Sequence, residues 1–195
     1  MIPIPPRMAH LRVERGMAVP YNVVIGKDGT VHFAINDERL RRLSIRRNVC
    51  SICGKTLFRG RWLVGGPLAA FHPDGAFIDP PMHSECAHYA LQVCPYLAAP
   101  RYAGEVGLKK AAAHKANLPD QMIVVDSIMH PGRPAGDIFV ALMTTRKITV
   151  FEATWNMKPK RPYDVVEYWR HGKQITKHEG ERIVDEAVRN YKRAS

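Results

Sequence analysis

No stretch of the sequence approaches the roughly 18–20 consecutive apolar residues that a membrane-spanning helix needs. Nothing near the start reads as a secretory signal, because Met1-Ile-Pro-Ile-Pro-Pro6 sets three prolines into a very short apolar stretch. Cysteine is scarce, with four in 195 residues, too few for a secreted scaffold held by disulfides. No glycine-rich phosphate loop, nucleophile elbow or metalloprotease motif is present, and there is no internal repeat or low-complexity tract. What remains is a soluble globular protein, expected in a cytoplasm, whose 46% hydrophobic content suffices for one good core or two small ones. Acidic residues are the minority charge: 18 Asp and Glu stand against 29 Lys and Arg, a net charge of +11. That balance points to an anionic partner, nucleic acid first, although basic charge also serves solubility.

The few cysteines cluster between positions 50 and 94, which fits metal binding in a reducing compartment better than cross-linking. Cys50-Ser-Ile-Cys53-Gly54 pairs two thiols across two residues, and His83-Ser-Glu-Cys86 pairs an imidazole and a thiol in the same way. Together they supply the four N/S donors of a closed tetrahedral zinc site. Gly54 permits the tight backbone after the second thiol, and His83 and Cys86 share one face of a helical turn. Cys94 lies eight residues past Cys86, about 12 Å along a continuous helix, so both cannot hold one ion. The expected ligands are Cys50, Cys53, His83 and Cys86, with Cys94 a buried apolar thiol on the same helix. Four protein ligands close the site, so one structural Zn2+ is expected, contributing roughly 10 kcal/mol or more toward folding, as in zinc-finger peptides.

Around this site the pattern predicts an α+β protein. Residues 1–18, rich in proline and arginine, suggest an extended basic arm of weak order. Residues 21–25 and 30–34 flank Gly26-Lys-Asp-Gly29 as a β-hairpin. A helix capped by Asn36 should run to about residue 48, with Leu40 and Leu43 toward a core and Arg39, Arg42 and Arg46 outward. That stripe is either a solvated face or a row of phosphate contacts. Residues 61–66 and 76–79 read as short strands of one hairpin, and a helix beginning near His83 or Ser84 ends at Pro95. Knuckle, hairpin and ligand-bearing helix in that order are the layout of a treble-clef-like zinc module, residues 19–118.

Residues 104–117 suggest a further, alanine-rich helix. From 119 to 195 the pattern changes to strands at 121–125, 138–143, 148–153, 165–170 and 173–176, consecutive ones paired antiparallel and covered by a C-terminal helix. Thr176 and Glu179 have capping-box spacing. This small sheet with its helix is either a second domain or part of one compact unit with the zinc module. Lys158-Pro-Lys-Arg-Pro162 reads as a proline-stiffened basic loop, making Lys158, Lys160 and Arg161 further candidates for phosphate contact.

Several of these segments also carry a resemblance. They are Cys50-Ser-Ile-Cys-Gly54, Val64-Gly-Gly-Pro67 and the run from Asp79-Pro-Pro-Met-His83 through Cys86-Ala to Cys94-Pro95. Across about residues 19–101 the chain resembles a family of uncharacterised bacteriophage and bacterial proteins. The resemblance implies a phage or prophage origin and no particular activity.

Three functions compete. The first is a non-enzymatic, zinc-stabilised nucleic-acid-binding protein using Arg39, Arg42, Arg46, Lys158, Lys160 and Arg161. The second is an interaction or inhibitor protein acting on a host factor through the C-terminal sheet. The third is a treble-clef nuclease of the HNH kind, for which His72, Asp74 and Asp79 are the available groups; but His83 is committed to the zinc, leaving the helix without a second catalytic histidine. Trp62, Trp155 and Trp169 fit a core better than a base-stacking platform. Oligomeric state is not legible.

Overall fold

A computed structural model describes residues 2–98 and 138–194; the expected helix at 104–117 and strand at 121–125 lie outside them. The chain opens with a 3-10 turn, Pro6–Met8, and a short hairpin of β1 (Val13–Glu14) and β2 (Met17–Ala18). Arg15 and Gly16 turn it with φ of 51° and 77°. The expected loose arm is therefore structured. Its prolines start a turn that drives Met8, 1% exposed, among Cys50, Cys53 and Cys86. Arg7 ion-pairs with Glu85, and the Tyr89 hydroxyl accepts from the Ala18 amide.

The predicted hairpin forms from β3 (Val23–Ile25) and β4 (Val31–Asn36). Helix α1 follows, Glu38–Arg47, capped by Asp37 rather than Asn36: the Asp37 carboxylate accepts from the Leu40 amide at 3.1 Å. The helix ends where Asn48 turns left-handed at φ 51°, a conformation asparagine tolerates better than most residues. Its buried face also departs from expectation. Leu40 and Leu43 are only half-buried, while Glu38, Arg41 and Ser44 are buried. The reason is that Arg41 of α1 reaches neighbouring carbonyls, while Ile45 rather than a leucine stripe packs against the core.

Strand β5 (Arg61–Gly65) and the short helix α2 (Pro67–Phe71) come next, then α3 (Ser84–Val93) and α4 (Pro95–Ala98). The expected strand at 76–79 does not pair with β5. It contributes one bridge, Phe77 to Met157, while β5 takes β6 (Ile138–Thr144) as its partner. Nor do consecutive strands always pair: β7 (Ile148–Phe151) leaves β6 to join β8 (Asn156–Pro159). Strand β8 contains part of the segment expected to be a loop. Proline is compatible with the end of a two-stranded ribbon, where its missing amide is not needed.

The main sheet is antiparallel, in the order β10-β9-β6-β5, with β9 at Val165–Arg170 and β10 at Lys173–Ile175. The expected two-residue turn between β9 and β10 is present at His171-Gly172, both with positive φ. The sheet joins a strand from the cysteine-bearing part of the chain to three from the C-terminal part. Alternation of side chains across the pleat gives it two packed faces. Trp62, Val64, Ala141 and Trp169 face Leu91, Ala87 and the cysteines. Leu63, Val140, Leu142 and Tyr168 pack with Val184 of α5 (Lys177–Ala194) and Ala70 of α2. The C-terminal helix thus covers the sheet, and the Thr176 hydroxyl accepts from the Glu179 amide at its start. No helix among the described residues is long and apolar enough to cross a membrane.

Candidate metal centre and basic surface

Cys50, Cys53, His83 and Cys86 come together, their donor atoms all within 4.8 Å of one another. The three cysteines are buried and His83 is half-buried. The knuckle owes its shape to backbone bonds: the Gly54 amide reaches the Cys50 carbonyl at 2.8 Å, and the Cys50 amide reaches the Lys55 carbonyl at 2.8 Å. Gly54 sits at φ +69°, and a Cβ there would stand 2.8 Å from the Tyr21 ring, so both conformation and space require glycine. His83 caps α3 and Cys86 lies in its first turn, which aims both at the knuckle.

The histidine is oriented as a ligand should be. Its Nε2 lies 3.1 Å from the Thr56 carbonyl; a carbonyl only accepts, so Nε2 carries the proton and Nδ1 presents its lone pair. Nδ1 stands 3.3 Å from Cys53 Sγ. Four donors about 2.0–2.3 Å from one ion are separated by edges of about 3.3–3.8 Å, so a modest rearrangement of these donors would complete a tetrahedral shell. The three sulfurs act strongly on one another. Cys53 is pushed far below the usual thiol range, first by the Cys50 side chain and then by that of Cys86. Cys86 is pushed far up by the same two neighbours, and Cys50 is raised by Cys53. Arg7, held by Glu85, adds positive charge facing Cys53 and Cys86.

Cys94 is outside the cluster, at the C-cap of α3 and half-buried rather than buried. Of the groups weighed for a nuclease, His72 faces Asp74 at 4.0 Å and the Tyr191 ring, and Asp79 accepts from Asn36 at 2.7 Å. His88 points to Glu167 at 2.8 Å, which also accepts from the Trp169 indole. Among the described residues, the Cys/His group is the only set of three or more His, Cys, Asp or Glu donors placed to hold a metal.

The basic candidates fall on adjoining elements. Arg39 is exposed, loosely paired with Asp37 at 3.6 Å. Arg42 is half-buried and gives its Nε to Glu38 at 2.7 Å. Arg46 is exposed, its guanidinium 4.8 Å from the centre of the Trp155 ring, which Arg42 also covers at 5.5 Å. Trp62 and Trp169 are core residues; Trp155 is half-buried beneath these arginines. Lys158 binds the Pro73 carbonyl, Lys160 is exposed, and Arg161 reaches the Ala70 and His72 carbonyls at 2.7 and 3.3 Å.

Sequence reasoning overlooked the group that ties these elements together. Arg41 has five N–H donors, and all five are used: Glu38 Oε2 and Oε1 at 2.5 and 2.9 Å, and the carbonyls of Ile78, Trp155 and Thr154 at 2.8, 3.0 and 2.8 Å. The helical spacing of Glu38 to Arg41 and Arg42 was the available signal. No family model, curated protein or solved structure matches the chain.

Proposed function

We propose that the protein is a non-enzymatic nucleic-acid-binding protein of phage or prophage origin, stabilised by one structural Zn2+ in a treble-clef-like module. Zinc is the ion that suits three thiolates and one imidazole in a tetrahedral, four-ligand shell. Such a shell has no open position for substrate, so the ion's work is to fix the knuckle to α3 and, through the Trp62–Met82 bridge, to the sheet.

The observation that carries the nucleic-acid proposal is the stacking of Arg42 and Arg46 on Trp155. It joins the basic face of α1 to the β7–β8 hairpin bearing Lys158 and leading into Lys160 and Arg161. The contact links two basic segments that are far apart in sequence, and guanidinium–aromatic stacking suits a phosphate-tracking face. The test is fluorescence anisotropy with labelled single- and double-stranded DNA and RNA over a series of salt concentrations. Binding that weakens steeply as salt rises supports the proposal; no binding of any strand at low salt removes it.

A further inference from the structure

The two strands of the β7–β8 hairpin place Thr149 opposite Lys158, and the Lys160 amide donates to the Lys147 carbonyl at 2.9 Å. Alternation along each strand therefore puts Lys147, Thr149, Lys158 and Lys160 on one face, while Met157 and Pro159 turn into the core. Like charges facing each other across a strand pair are destabilising. No carboxylate among the described residues forms an ion pair with Lys147, Lys158, Lys160 or Arg161.

These residues line an open cleft of about 370 Å³, closed by Pro73, Gly75, Pro159 and Tyr163. Two of the cations are held in place by backbone. Lys158 is fixed on the Pro73 carbonyl, and Arg161 on Ala70 and His72. The Tyr163 hydroxyl, which donates to Ala70 at 2.6 Å, secures the same wall. Gly75 lets that wall seat on α2, since a Cβ there would lie 2.1 Å from the Leu68 carbonyl.

We propose that this cleft is a binding site for a phosphate monoester or pyrophosphate group, carried by the end of a nucleic-acid strand or by a free nucleotide. Four cations and the Thr149 hydroxyl exceed what one phosphodiester charge requires and match a group with two or more negative charges. The volume is in the range of small-ligand sites, enough for a nucleotide unit as well as its phosphate. The strand-end form of the inference rests on the nucleic-acid function proposed above; the pyrophosphate form does not.

The experiment is calorimetric titration of the full zinc-loaded chain with pyrophosphate at low salt, for the natural protein and Lys147→Ala/Lys160→Ala. Neither lysine makes a side-chain hydrogen bond or ion pair within the described residues, so the double variant should fold; circular dichroism and zinc content confirm that it does. The expected result is saturable binding, weakened about tenfold or more in the variant. A 3′-labelled oligonucleotide with a 5′-phosphate binding several-fold more tightly than its 5′-hydroxyl form identifies the strand end as the source. Displacement of pyrophosphate by ADP with both oligonucleotides bound alike identifies a free nucleotide. If neither oligonucleotide binds but pyrophosphate does, the nucleic-acid function falls and the cleft stands. Absence of pyrophosphate binding, or equal affinity in the variant, overturns the site.

Discussion

The guanidinium of Arg41, 2% exposed, is held in a two-pronged grip by the Glu38 carboxylate one turn away on the same helix. Its remaining donors go to three carbonyls from two other segments, so this side chain ties α1 to both. Arg41→Ala leaves a buried carboxylate with only Arg42 and strands those carbonyls. The expected cost is about 3–5 kcal/mol, or a drop in Tm of roughly 10 °C. Arg41→Lys should recover little, because an ammonium has three donors and no planar fork. Urea unfolding of both variants checks this, and a loss below about 1 kcal/mol for Arg41→Ala would falsify the docking role.

The same pair sets an acid limit. Burial pushes the Glu38 carboxyl up, but hydrogen bonds from Arg41 and then Arg42 outweigh it and hold the group below its usual value. A lowered folded-state pKa contributes stability that is complete above the unfolded value, about 4.3. It is lost as pH falls through the lower folded value. Glu38→Gln should therefore be less stable than the natural protein at pH 7, with the difference shrinking below about pH 4. Both proteins share the acid-sensitive Cys/His cluster, so the difference curve isolates Glu38. A gap that stays constant down to about pH 2 contradicts the assignment.

Arg41 also shows where sequence reading stops. Its helix was legible from its pattern, with the cap one residue later than expected, but an arginine in a basic run looks solvated until the carbonyls of residues 78, 154 and 155 arrive from elsewhere in the chain. The pairs Cys50/Cys53 and His83/Cys86, by contrast, follow from two local spacings that hold whatever the rest of the fold does, although their meeting depends on the fold. The His171-Gly172 turn and the C-terminal helix were readable for the same reason. Strand pairing was not: residues 61–65 have the strand pattern, yet nothing local names Ile138–Thr144 as their partner rather than residues 76–79. Met8 is a third case, since prolines fix backbone angles without saying which core a nearby side chain will enter.

Elemental analysis of purified protein should find about one zinc per chain. Cys53→Ser should lose the ion and unfold the knuckle, because Cys53 is the sulfur that His83 Nδ1 approaches at 3.3 Å. Cys94→Ser should keep it, being outside the cluster. A chelator should lower the Tm of the natural protein and leave an already metal-free Cys53→Ser sample unchanged. Metal-free natural protein with full stability would rule out the zinc assignment.

Gly180 offers a test of the helix–sheet contact in which the sign is the outcome. Replacing a glycine inside a helix by alanine ordinarily stabilises by about 1 kcal/mol. Here a Cβ would stand 2.1 Å from Tyr168 Cγ, and Tyr168 is 5% exposed. Gly180→Ala should thus destabilise, by about 1–3 kcal/mol, as α5 lifts from β9. Denaturant titration decides it; a stabilised variant would mean that α5 does not rest on Tyr168 at this depth.

The three arginines of the α1 stripe should not contribute equally to binding of a nucleic acid. On duplex DNA, taking one cation away from its phosphate flattens the slope of log affinity against log salt by about 0.9. Arg46 has no carboxylate partner among the described residues and is already ordered on Trp155, so Arg46→Ala should flatten the slope by close to that full amount. Arg39, exposed and only loosely tied to Asp37 at 3.6 Å, should follow. Arg42 is engaged by Glu38 at 2.7 Å; breaking that bond to reach a phosphate offsets much of the gain, so Arg42→Ala should change the slope least. The order Arg46, Arg39, Arg42 in flattening the salt slope is specific to this geometry. Equal effects would indicate diffuse electrostatics, and no effect from any of them would move the nucleic-acid surface away from α1.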